Sequence, residues 1–151
     1  MTARRLLHPT PRTRLHPVRG RHQDCGTVAL ASLADIPTSE AAELVRQVTG
    51  RKRILGTTPP QLIEAMRLAG IDCADHYRVF LRPRPTVSEF LRARHRWHYR
   101  AMIVGHGSRE PHWIAVSGAT WLDHSHRSPS ELCSCVMRRR ALVEGFIPVF
   151  A

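Results

Sequence analysis

An α+β fold, helices first and an antiparallel sheet after them, is predicted by two features of the apolar pattern. From Cys25 to about His95 apolar residues recur at helical spacing between start and stop signals, and from Tyr99 onward they alternate as in strands. A third observation sets the scale: 151 residues with 42% hydrophobic content suit one domain with a single sizeable core. Together these predict N-terminal helices packed on a C-terminal antiparallel sheet.

Residues 1–21 read as an arm rich in Arg and Pro, because Pro9, Pro11 and Pro17 break any period, and residues 22–151 as the domain. Between Cys25 and Ala34 the residues are small or aliphatic on every side, which suits a central helix covered all round, with Asp24 as its cap. A second helix is expected from Thr38 or Ser39 to a stop at Gly50. Thr58-Pro59-Pro60-Gln61 has capping-box spacing with proline in the first turn, so a third helix should run to about Ala69. Residues 71–81 look extended and end at Pro83 and Pro85, after which Thr86-Val87-Ser88-Glu89, a second capping box, opens a short helix to about His95. Strands are expected at 99–104, 112–116, 120–123 and within 141–150. Ser128-Pro129-Ser130-Glu131 is a third capping-box match and predicts one or two helical turns leading towards Arg138-Arg139-Arg140.

Charge narrows the partners. The net charge of +11 comes from 23 basic and 12 acidic residues, and Lys52 is the only lysine. Six arginines and no acid fall in residues 1–22, so about half of the excess lies in the arm. Such a surface attracts acidic polypeptides and nucleic acid alike. Four cysteines, Cys25, Cys73, Cys133 and Cys135, are too sparse for a disulfide framework, and no run is long enough for a membrane span or a signal peptide. The expectation is a reduced, cytoplasmic protein.

Chemistry concentrates at Arg21 to Leu33, where Asp24-Cys25-Gly26 opens into an apolar helix. The first N–H groups of a helix lack internal partners and its dipole is positive there, so a thiol at that position is expected to have a lowered pKa. A cysteine nucleophile needs a base within reach and a group to orient the base. If Gly118-Ala119 form a two-residue turn, Ser117 pairs with Thr120 and Ile114 faces Asp123. Residues 112, 114 and 116 then share one strand face with Asp123, and Asp123 lies diagonal to His112. A strand-end histidine bonded to a nearby carbonyl, a turn-capping aspartate and a buried structural cysteine are the plain alternatives for the three residues.

Asp24-Cys25-Gly26 followed by VALASL, then Gly56-Thr57-Thr58 before a helix ending Ala69-Gly70-Ile71, then His112-Trp113-Ile114-Ala115-Val116 and a hairpin to Asp123, resembles the papain-like cysteine peptidases. The likeness is to the C39-like branch, which includes bacteriocin-leader peptidases and small bacterial and phage relatives, and it covers about residues 22–125. It implies a papain-like fold, Cys25 as nucleophile, His112 as general base and then acid, Asp123 as the residue holding the imidazole, and no cofactor. In that family an oxyanion-hole Gln precedes the Cys by several residues, near Arg19 here. Gln23 is the nearby glutamine, and its amide with the Cys25 N–H would share that task. The rival expectation is a degenerate papain-like scaffold that binds nucleic acid or an acidic protein. Its nucleic-acid form rests on the Arg-rich arm and surface; in the basic, aromatic stretch from Arg92 to Arg100, His95, Trp97, His98 and Tyr99 could stack on bases, but the stretch reads first as the end of a solvated helix followed by a strand whose aromatics are core. His124, His126, Cys133 and Cys135 crowd into twelve residues, but each pair is separated by one residue, tighter than structural zinc sites use, so no metal is expected.

Overall fold

The computed structural model describes residues 15–94, 100–106, 111–117, 120–124, 128–131 and 142–150. Helices α1 (Cys25–Ala34), α2 (Thr38–Thr49) and α3 (Pro59–Leu68) come first, followed by β1 (Arg78–Val79) and α4 (Val87–Arg94). Strands β2 (Arg100–His106), β3 (Pro111–Ser117), β4 (Thr120–Leu122), β5 (Ser130–Glu131) and β6 (Leu142–Val149) complete them. All strand pairs are antiparallel, in the order β1-β6-β2-β3-β4-β5, so the architecture is α+β.

Local signals explain where the helices start. The Asp24 carboxylate accepts from Thr27 N–H at 3.1 Å and caps α1, every residue of which from Gly26 to Leu33 is buried. At α3 both halves of the capping box form: Thr58 N–H donates to Gln61 Oε1 at 3.0 Å and Gln61 N–H to Thr58 Oγ1 at 3.4 Å. The same reciprocal pair, Thr86 with Glu89, opens α4. Gly50 ends α2 at φ +68°, with its N–H returning to Arg46 O.

The sheet is buried on both faces. Trp113, Ala115, Leu122, Ile147 and Val149 join α1, α2 and α3 in the main core, whereas Ile114, Val116, Trp121, Val143 and Phe146 meet Val87 and Phe90 of α4. Val143 and Phe146 share a face although they are three residues apart, because the β2–β6 register shifts between Val104 and Gly105 and a bulge inverts the parity. Close to it, Gly145 admits no side chain, since a Cβ would lie 2.4 Å from Arg78 O and 2.5 Å from the Tyr77 ring.

Three expectations change. Ser128-Pro129-Ser130-Glu131 starts no helix: Ser130 and Glu131 pair with Trp121 and Thr120 as β5, edge pairing having overridden the local cap signal. Residues 71–81 yield only the two-residue β1 and an isolated bridge from Cys73 to Val149. The core also begins before residue 22. Leu15 and Val18 are buried in it, His16 and Ser32 exchange hydrogen bonds of 3.0 and 2.8 Å, and Thr38 N–H donates to Arg19 O at 2.8 Å. The Gly118-Ala119 turn and the turns expected towards residues 138–140 lie outside the described residues. Among those residues no helix is long and apolar enough to cross a membrane.

Candidate functional site

Cys25 is the first residue of α1, and α1 lies against β3. Cys25 is half-buried, and the backbone N–H groups of Trp113, Gly26 and Cys25 itself favour its thiolate. The contact with Trp113 fixes where sulfur meets the sheet. Strand N–H groups point along the sheet plane, β2 occupies one side of β3 through the pair Val104↔Trp113, and β4 pairing ends at Ala115↔Leu122. Sulfur therefore sits beyond the β3 edge that β4 leaves uncovered.

Glycine at position 26 makes this approach possible. A Cβ there would lie 2.4 Å from Thr57 Oγ1 and 3.5 Å from Trp113 Cδ1. Thr57 in turn accepts from Trp113 Nε1 at 3.1 Å through its carbonyl. The loop before α3, the helix mouth and β3 thus close on one another around Gly26. Tyr77 packs edge-on to Trp113 at 6.0 Å between ring centroids and buttresses its other side.

The electrostatics of Cys25 depart from expectation. Its thiol pKa is raised, chiefly because burial penalises the thiolate, and the neighbouring Asp24 carboxylate pushes in the same direction. The three N–H groups pull it down without overcoming burial. The lowering predicted from the helix end alone is therefore reversed.

His112 lies in β3, pairs with Gly105 of β2 and immediately precedes Trp113. Asp123 is 1% exposed and directly follows β4. The predicted register, Ser117↔Thr120, is observed, and its continuation sets Ile114 opposite Asp123. The face shared by Ile114 and Val116 belongs to α4, while α1 packs on the face of Trp113 and Ala115.

Gln23 is exposed, two residues before the helix. Arg19, near where the resemblance would place an oxyanion-hole Gln, instead donates to Asp35 O at 3.0 Å and ties the N-terminal segment to the end of α1. Among the described residues no group of three or more His, Cys, Asp or Glu side chains is placed to hold a metal ion, and His126, Cys133, Cys135 and the stretch from His95 to Tyr99 lie outside them. Reading the residues for reactive groups missed Thr57 and the Trp113 N–H, which hold the site together. The signal for them was the glycine directly after the cysteine, since a glycine inside a buried helix marks a close approach. A comparison with protein-family models finds no match, and a comparison with curated proteins finds no similar sequence.

Proposed function

We propose that this chain is a papain-like cysteine peptidase of the C39-like kind, cleaving an amide of a polypeptide through an acyl-thioester on Cys25. The observation that supports this most is the placement of Cys25 as the first residue of α1 against β3, where backbone N–H groups, among them that of the residue after His112, favour its thiolate. Donors facing sulfur stabilise a thiolate, whereas a merely structural thiol needs an acceptor for its S–H.

In this reading His112 takes the thiol proton, the thiolate attacks the carbonyl carbon, and the Cys25 N–H with the Gln23 amide receives the developing oxyanion. Collapse expels the amine, which takes the proton from His112. Water, activated by the same imidazole, then releases the acid and restores the thiol, and Asp123 holds the imidazole throughout. Because the Cys25 pKa is raised, the thiolate must be generated by the base.

Competitive labelling with limiting iodoacetamide tests the reading. Cys25 should be alkylated faster than Cys73, Cys133 and Cys135, and His112→Ala should abolish the advantage. Equal rates at all four thiols would overturn it. The exposed Gln23 and the raised Cys25 pKa favour one rival, a catalytically degenerate scaffold that binds nucleic acid or an acidic protein. That rival predicts a steeply salt-dependent affinity for RNA or DNA that Cys25→Ala leaves unchanged.

A further inference from the structure

Beside the helix mouth, between the end of α2 and the start of α3, lies a cleft of about 380 Å³ whose walls include Arg51, Arg53, Leu55, Thr57 and Gln61. We infer that this cleft is a specificity subsite that receives an acidic side chain of the polypeptide substrate. The inference rests on Cys25 being the nucleophile and adds the chemistry of the substrate it would accept.

The turn carrying the two arginines is held in place. Gly50 N–H donates to Arg46 O at 2.8 Å, Arg51 N–H to Thr49 Oγ1 at 3.3 Å, and the Arg46 side chain to Lys52 O at 3.0 Å. Among the described residues the ion pairs to carboxylates engage Arg19, Arg46, Arg67 and His16, leaving Arg51 and Arg53 without one. The adjacent start of α3 offers a favourable dipole but no backbone donor. Pro59 and Pro60 have no N–H, and those of Thr58 and Gln61 are spent on the capping box. Recognition of an anion here therefore falls to the two guanidinium groups, which match carboxylate geometry.

Position identifies the anion. Thr57 lines the cleft and also fills the space against Gly26, with its carbonyl bonded to the Trp113 ring. One residue thus separates the cleft from the nucleophile's helix mouth, and an extended peptide advances about 3.3 Å per residue. A volume of about 380 Å³ leaves ample room for an acidic side chain. A nucleic-acid strand would instead call for a row of cations spaced along its phosphates.

The test uses epoxysuccinyl peptides carrying a single Glu or Gln at successive positions on either side of the reacting carbon, with alkylation of Cys25 followed by mass spectrometry. At one position Glu should accelerate labelling about tenfold over Gln. The exposed double substitution Arg51→Gln/Arg53→Gln should equalise the two while leaving the iodoacetamide rate unchanged. A Glu advantage that is equal at every position and survives in the double variant would overturn the subsite, pointing to general attraction by the net charge. So would a double variant that loses affinity for a twenty-nucleotide oligo-dT but keeps its peptide preference. Failure of iodoacetamide to select Cys25 would instead remove the nucleophile itself, and a selective Cys25 without a Glu preference would remove only the subsite.

Discussion

Cys25 and Cys73 are both thiols pushed above their ordinary pKa by burial, yet their surroundings are wired in opposite senses. Cys73 sits in the main core and donates its S–H to Ile63 O at 4.0 Å, with Asp72 and Asp75 nearby as further brakes on ionisation and Arg67 opposing them. Cys25 receives N–H groups at sulfur. One environment accepts the proton of a thiol, and the other carries backbone groups that favour a thiolate. Direction of shift does not separate them, because desolvation dominates both; the sense of the hydrogen bonds does. A raised pKa at rest is then compatible with a nucleophile that ionises only when a base takes its proton.

The strongest break of this contrast is His112→Ala. If His112 acts as the proposed general base, its loss costs about 10²-fold or more, so Cys25 alkylation at neutral pH should fall by about that factor while Cys73 in the same sample is unaffected. A parallel fall at Cys73 would mean that the fold had loosened. Next in size is Gly26→Ala, which forces a Cβ to 2.4 Å from Thr57 Oγ1. Overpacking of this kind costs about 1–3 kcal/mol, read as a lower urea midpoint. Adding Thr57→Ala removes the oxygen in the way and should restore most of the loss, a coupling that a general helix-propensity effect would not produce.

Tyr77 extends the comparison to a group with no donor at all. Its hydroxyl is buried without a hydrogen-bond partner, and burial first, then Glu144, raises its pKa to about 12, with Arg84 opposing. A folded-state pKa above the unfolded value of about 10 favours the neutral phenol, so this stabilisation is complete below pH 10 and is lost as pH rises towards about 12. Tyr77→Phe should leave the urea midpoint at pH 7 nearly unchanged or slightly raised, since an unsatisfied hydroxyl is removed, and should flatten the decline between pH 10 and 12.

Much of the helical half was legible because its signals are local. Thr58 with Gln61 and Thr86 with Glu89 satisfy each other's backbone groups wherever the rest of the chain goes, and an apolar α1 can only be central. Ser128-Pro129-Ser130-Glu131 carries the same local pattern, but pairing with β4 outweighs it. The hairpin register was legible as well, through Ser117↔Thr120. The side on which α1 would lie was not. Trp113, Ile114, Ala115 and Val116 are all buried, because α4 covers the second face, and a strand apolar on both faces has no alternation to say which one meets α1. The thiol shift was misjudged for a related reason: the helix end is visible in sequence, whereas desolvation depends on what packs around it.

Asp24 poses the finest test, because it does two opposed things at Cys25. Its carboxylate caps α1 through Thr27 N–H at 3.1 Å, and its charge raises the thiol pKa. Asparagine caps as well as aspartate, so Asp24→Asn keeps the hydrogen bond and loses only the interaction of charge with the helix dipole, a stability change of about 0.3–1 kcal/mol. The thiol pKa should fall. A lower pKa raises the thiolate fraction by more than it lowers the intrinsic nucleophilicity, so Cys25 alkylation at pH 7 should speed up. Asp24→Ala removes cap and charge together and should cost about 1 kcal/mol for a similar gain. If Asp24→Asn instead slows alkylation, the carboxylate assists proton removal at Cys25, and its place in the site is catalytic as well as structural.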